Sequence, residues 1–247
     1  MNEWKNRIAA NGAVAMIIVI GIIISSIILT NGIVEVKGNG DKIAVTGSAK
    51  QQITSDLVVW NGSFSAKSAN LQEAYTQLEA DKNKVSDYLI KQGVKKDQIV
   101  FTAINTNIYY VVLPNGQYTS DIDYYDLYQT VTISSADIDR VTEISRNATE
   151  LINEGVQFQS NAPQYLYTKI ADLKVTMLAE ATKDARKRAE MIAENAGSKL
   201  GGLKYADMGV IQITPLYSNE VSDYGMNDTS SLEKEITAIV HCEFEIK

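Results

Sequence analysis

The chain of 247 residues has a single cysteine, a single histidine and only three prolines. One cysteine rules out an intramolecular disulfide framework. One histidine rules out a multi-histidine metal centre. Positive charge is also short: 23 Lys and Arg stand against 30 Asp and Glu, a formal net charge of −7. Such a chain lacks the electrostatic footprint of a nucleic-acid binder, so no nucleic-acid partner is expected. The sequence contains no G-x-S-x-G, Walker A, G-x-G-x-x-G or H-E-x-x-H string. The nucleophile, phosphate-loop and zinc chemistry those spacings serve therefore has no carrier. No catalytic, cofactor-binding or metal-binding residue is assigned, and neither a cofactor nor enzymatic activity is expected. The composition is nonetheless globular, at 45% hydrophobic and 21% charged, which excludes disordered and collagen-like chains.

Charge is absent altogether from Ile8 to Val34. A helix over Asn11–Gly32 would be about 33 Å long, enough for a hydrocarbon core of about 30 Å. The run is apolar on every face, unlike a core helix. It is also longer than a signal-peptide core, and Leu29-Thr-Asn-Gly-Ile-Val34 makes a poor cleavage site. An uncleaved transmembrane anchor at 11–32 is expected, with the lipid bilayer as its partner. Lys5 and Arg7 precede it and only Lys37 follows closely, so residues 1–10 are expected in the cytoplasm. A linker at 33–41 would then lead to an extracytoplasmic domain at 42–247, giving a single-pass protein of the cell membrane. Gly21-x-x-x-Ser25 adds a weak small-xxx-small signal for helix association.

Beyond Lys42 the pattern alternates between periods. Strands are expected near Ile43–Gly47 and at 57–67, 99–113, 122–134, 156–167, 203–215 and 235–247. Helices are expected at 70–92, 137–153 and 168–196, ending at Gly93, Gly155 and Gly197. Asn70 with Glu73 resembles a capping box. Pro114-Asn115-Gly116 marks a turn joining two long strands. Residues 216–234 carry no period and read as a long loop. Strand, helix, strand, strand occurs twice, joined by the middle helix. The expected class is α+β, built from duplicated β-α-β-β units with antiparallel sheet and helices on one face, after one transmembrane helix. In the last strand Ile236, Ala238, Val240, Cys242, Phe244 and Ile246 share one face, the alternation of a half-buried antiparallel strand.

Three groups of residues invite a chemical reading. His241 and Cys242 are adjacent on a strand, so they point to opposite faces and cannot form a dyad. Gly197-Ser-Lys-Leu-Gly-Gly202 follows a helix rather than opening one, so it reads as a cap and not a phosphate cradle. The basic run Lys183–Arg188 is interleaved with Glu180, Asp184, Glu190 and Glu194, which marks a solvated helix face. The unusual feature is aromatic. Of 13 tyrosines, Tyr109, Tyr110, Tyr118, Tyr124, Tyr125 and Tyr128 fall on one expected hairpin. Cross-strand packing accounts for such a cluster, and so does an interface, since Tyr combines area with a hydroxyl. Tyr125 shares its face with Leu127, Val131 and Ile133 and is assigned to the core. Tyr109, Tyr110, Tyr118, Tyr124 and Tyr128 are the candidate interface.

Several strings resemble the SIMPL family, a domain of unknown function found in bacterial periplasmic immunogenic proteins. They are Ile43-Ala-Val-Thr-Gly-Ser-Ala49, Ile53-Thr-Ser-Asp56 and, most specifically, Glu180-Ala-Thr-Lys-Asp-Ala-Arg-Lys-Arg-Ala-Glu-Met-Ile-Ala-Glu-Asn-Ala-Gly197 followed by Lys199-Leu-Gly201. The resemblance runs over roughly residues 42–247. Ser55 stands where the family usually has proline, and the anchor departs from relatives that look secreted. The resemblance implies an exported, often oligomeric α+β domain without a catalytic motif to carry over. The expected function is self-assembly or protein interaction at the cell envelope, as a homo-oligomer. The alternative is a cell-wall or glycan-binding module that holds a wall polymer on the Tyr-rich hairpin.

Overall fold

The computed structural model describes residue 16, residues 19–30 and residues 42–247. The expected cytoplasmic residues 1–10, the linker 33–41 and both ends of the anchor lie outside the described residues. Within the expected anchor, residues 19–30 are helical and exposed. Among the described residues no helix is long and apolar enough to cross a membrane.

The class is mixed α+β with two sheets. In chain order the elements are β1 (Lys42–Thr54), β2 (Leu57–Ser68), α1 (Leu71–Lys91), β3 (Ile99–Phe101), β4 (Asn105–Val112) and β5 (Tyr118–Ser135). Helix α2 (Ile138–Asn147) follows and continues as a 3-10 helix, Ala148–Glu154. Then come β6 (Gln157–Ser160), β7 (Gln164–Leu166), α3 (Ile170–Asn195), β8 (Leu200–Met208), β9 (Gln212–Pro215), β10 (Met226–Asn227) and β11 (Glu233–Ile246). One sheet has the order β3-β5-β2-β6, with β4 on β5 and β7 on β2. The other has the order β1-β11-β9-β10, with β8 on β11. The chain divides into two compact units, Met1–Ser48 with Glu180–Gly209 and Ile239–Lys247, and Ala49–Ala179 with Val210–Ala238.

The expected duplication does not extend to strand pairing. β2 pairs with β5, which closes the first β-α-β-β stretch. In the second stretch β6 and β7 also pair with β2 and not with β11. Three expected strands are each divided. Pro163 stands between β6 and β7 and brings no N–H to a ladder. Gly209 ends β8, with its N–H bonded to the carbonyl of Ile239. β3 and β4 both pair with β5, and the ladder is interrupted between them at Thr102. Its Oγ1 accepts from the N–H of Thr130, and its carbonyl accepts from Gln129 Nε2 at 2.6 Å. The stretch read as a loop, 216–234, contains β10, which pairs in parallel with Gln212 and Ile213.

In the second unit the alternation of β2 is kept: Val58, Trp60, Phe64 and Ala66 are buried. Helices α1 and α2 pack on that core through Leu78, Val85, Leu89, Val141 and Ile144. Gly62 is required there, because a Cβ would sit 2.3 Å from the Phe158 ring. Asn70 caps α1 by accepting from the N–H groups of Gln72 and Glu73. The reciprocal contact differs from a capping box: Glu73 accepts from Ser68 Oγ, and Ser68 Oγ in turn accepts from the N–H of Asn70. The middle helix tightens to 3-10 after Asn147, still burying Ala148 and Leu151, and ends at Gly155 with φ +82°.

In the first unit, α3 presents Ala181, Ala185, Ala189 and Ala193, all fully buried. This four-residue stride of methyl groups lets a strand lie against the helix backbone. A Cβ on Gly47 of β1 would come 2.1 Å from the Ala181 carbonyl oxygen and 2.5 Å from the Ala185 nitrogen. The N–H of Ser48 donates to Asp184 Oδ2 at 2.9 Å, and Arg188 Nε donates to the same oxygen at 2.8 Å. The inward face of β11 is as expected, with Val240, Cys242 and Phe244 buried.

Candidate functional site: the tyrosine-rich hairpin

The turn Pro114-Asn115-Gly116 closes β4 onto β5. The N–H of Leu113 reaches the carbonyl of Gln117 at 2.8 Å, and Gly116 takes φ +83°. β2 pairs with β5 only as far as Ser68↔Tyr125. From Ile108 to Tyr124 the hairpin therefore projects as two strands, and no third strand pairs with it among the described residues. Every residue of β4 is exposed.

Two slips in register decide what the projecting part displays. Asn105↔Tyr128 through Tyr109↔Tyr124 run in one register, after which Tyr110 pairs with Ile122 and Val112 with Tyr118. The first slip leaves Asp123 as an extra residue, and a one-residue bulge exchanges the two faces of the strand beyond it. Without it, Asp121 and Asp123 would stand opposite Val112 and Tyr110. With it, Ile122 and Tyr118 join Ile108, Tyr110 and Val112 on one face, all exposed. The face is largely apolar, with Ser120 between Tyr118 and Ile122 in the same alternation and Asp121 turned to the other side.

The candidate residues thus fall into two groups. Tyr110 and Tyr118 belong to the apolar face, Tyr118 being 77% exposed. Tyr109 and Tyr124 lie on the opposite face, stacked with ring centroids 4.6 Å apart and planes 15° apart. Lys67 Nζ lies 5.5 Å over the Tyr124 ring and 3.8 Å from Asp126. Tyr128 shares that side and is exposed, whereas Tyr125 packs against the core with Leu127, Val131 and Ile133. The structure does not bring the five candidate tyrosines together as one patch. The signal for this was present: the apolar parity changes between Ile122 and Tyr125, which is what a bulge produces.

The remaining groups singled out in the sequence take structural places. His241 Nδ1 lies 2.9 Å from Thr46 Oγ1 on the exposed side of β11. Cys242 is 1% exposed, and burial pushes its thiol up from the usual range. Gly197, at φ +76°, follows α3 as a C-terminal cap, with the N–H of Ser198 on the Ala193 carbonyl. Lys183 pairs with Glu180, Arg186 with Glu190 and Arg188 with Asp184 along the exposed side of α3. Among the described residues no group of three or more His, Cys, Asp or Glu side chains gathers to hold a metal ion.

One polar group escaped the sequence reading. Lys234 continues the inward register of β11 and is 2% exposed. Its Nζ donates to the Tyr165 carbonyl at 2.5 Å, and burial holds its ammonium below the usual lysine range, opposed by the charge of Asp228. It lines a cavity of about 350 Å³ in the second unit.

Comparison with curated proteins gives no significant match. The profile of the family described as SIMPL, protein of unknown function (DUF541), matches residues 43–244. That match takes in nearly all of the described chain beyond the apolar run, so the chain belongs to the SIMPL family.

Proposed function

We propose that this chain is a membrane-anchored, extracytoplasmic SIMPL module that acts by self-assembly or protein interaction at the cell envelope, without catalysis. The observation that carries the reading is the projecting hairpin. Its apolar face of Ile108, Tyr110, Val112, Tyr118 and Ile122 is exposed among the described residues, and a monomer in water gains nothing by displaying it. Both strands of the projecting part also keep an open edge, to which another copy can add. Anchoring is supported by the uncharged run from Ile8 to Val34, helical over residues 19–30. Lys5 and Arg7 support a cytoplasmic N-terminus and a single-pass topology.

A second reading, a cell-wall or glycan-binding module, is favoured by Tyr118 alone. Its ring stands near the hairpin turn, largely exposed, and makes no ring stack among the described residues. A free ring face of that kind suits the apolar side of a sugar. The stacked Tyr109–Tyr124 pair has no such open face on its inner side.

The test is cross-linking on intact cells with a reactive group at position 118, introduced as Tyr118→Cys. Cys242 is buried and does not compete. Covalent multimers of the chain are expected. Monomer alone overturns assembly through this face, and adducts with wall polymer in place of multimers favour the second reading. Topology is read in the same cells: Asn39→Cys is expected to react with an impermeant thiol reagent and Asn2→Cys is not. The reverse pattern overturns the orientation.

A further inference from the structure

We propose that the cavity beside Lys234 is a binding site for a small monocarboxylate with an aliphatic body. The cavity lies wholly within the second unit and has a volume of about 350 Å³. That is at the small end of ligand pockets, so it suits a short chain and not a long one. One part of its wall is aliphatic, with Ile53 from β1, Leu57 from β2, Leu166 from β7, Ile170 at the start of α3 and Ile213 from β9, and the rest is polar. A hydrocarbon body released from water is accommodated by such walls.

The charged group is what gives the cavity a preference. Lys234 is withdrawn from solvent, yet its one hydrogen bond among the described residues goes to a backbone carbonyl, that of Tyr165. No carboxylate lies within ion-pair distance of Nζ among the described residues. A buried ammonium with donors to spare is costly unless an anion meets it. Asp228 also lines the cavity, but its carboxylate is already held by Ser230 N, Ser230 Oγ and Ser231 N. Asp56 is likewise engaged, with the N–H and Oγ1 of Thr168 at 2.7 and 2.8 Å. Both carboxyls stay ionised, below the usual range, because these donors outweigh the effect of burial. An incoming anion therefore meets two cations of the lining, Lys234 and the more exposed Lys174, against the single carboxylate of Asp228. That balance leaves one positive charge in excess and matches an anion of a single charge. The positive end of α3 at Ile170 adds to the same preference.

The probe is hexanoate, with hexan-1-ol as its neutral counterpart. The full chain is held in nanodiscs and observed through isoleucine methyl NMR. Saturable shifts are expected at Ile53, Ile170 and Ile213 with hexanoate, while Ile144, in a separate part of the core, stays still. Hexan-1-ol is expected to bind about tenfold more weakly or worse, since it forfeits a charge-assisted hydrogen bond. Lys234→Met is expected to lose the difference between the two probes. Leu57→Trp, which fills the cavity without touching the ammonium, is expected to abolish both responses. No saturable shift in the unsubstituted chain overturns the proposal. So does equal binding of the alcohol, or hexanoate binding retained in Leu57→Trp. Shifts confined to isoleucines of the apolar run at 8–34 would show partition into lipid and also count against it.

Discussion

Gly47 has a backbone that no other residue can replace, because β1 lies against α3 with no room for a Cβ. Gly47→Ala forces the strand away from Ala181 and Ala185 and is expected to cost about 3 kcal/mol or more, the upper part of the overpacking range. Gly202→Ala meets nothing within 4 Å and is expected to change stability by no more than about 0.5 kcal/mol. Denaturant unfolding of the pair checks the close approach, and equal costs would refute it. On β11, Phe244 is 3% exposed, so Phe244→Ala is expected to cost about 3–5 kcal/mol. Its neighbour Glu243 pairs with Lys42 at 2.7 Å in an exposed position, and Glu243→Ala is expected to cost at most about 1 kcal/mol. Similar costs would mean that the strand presents its other face to the core.

At the scale of elements, the fold turns on where strands begin, break and bulge. Asp184 on α3 ties the helix to β1 by accepting from the N–H of Ser48, and with Arg188 this holds its carboxyl below the ordinary value of 3.8. A carboxyl lowered in the folded state contributes stability above its unfolded value, which is lost as pH falls through the folded value. Asp184→Asn keeps an acceptor for Ser48 but cannot titrate. Its stability is expected to fall less steeply than that of the unsubstituted chain below about pH 4, and parallel curves would remove Asp184 from the acid response. Helix positions, the inward face of β11 and the core side of β2 were legible in the sequence, because periods of 3.6 and 2 follow directly from burial. The breaks at Thr102 and Gly209 were not, since each depends on a partner far away in the chain, whereas Pro163 marks its own break because it has no N–H for a ladder. The burial of Lys234 was hidden for a different reason: a lysine interrupts the apolar alternation of β11, so the strand reads as starting at 235, two residues too late. Of the candidate site, the hairpin and the core assignment of Tyr125 were legible. The regrouping of its tyrosines left a trace in the change of apolar parity between Ile122 and Tyr125, but which residue bulges, Asp123, shows only in the strand pairing.

For the whole molecule, the uncharged run from Ile8 to Val34 and the exposed apolar hairpin are the two features that the proposed anchoring and assembly rest on. The exposed apolar face of the hairpin is what supports the proposed assembly. Two strands that project without a third are marginal alone in water, so a second copy would also stabilise the arm itself. The most direct measurement is the protein mass per particle of the full chain in detergent, by light scattering, with and without charges on the apolar face. The unsubstituted chain is predicted to contain several copies per particle. Ile108→Lys with Val112→Lys and Ile122→Lys is predicted to reduce this to one copy while the thermal unfolding of the domain stays within a few degrees. One copy in the unsubstituted chain, or an unchanged assembly in the substituted one, would contradict the account.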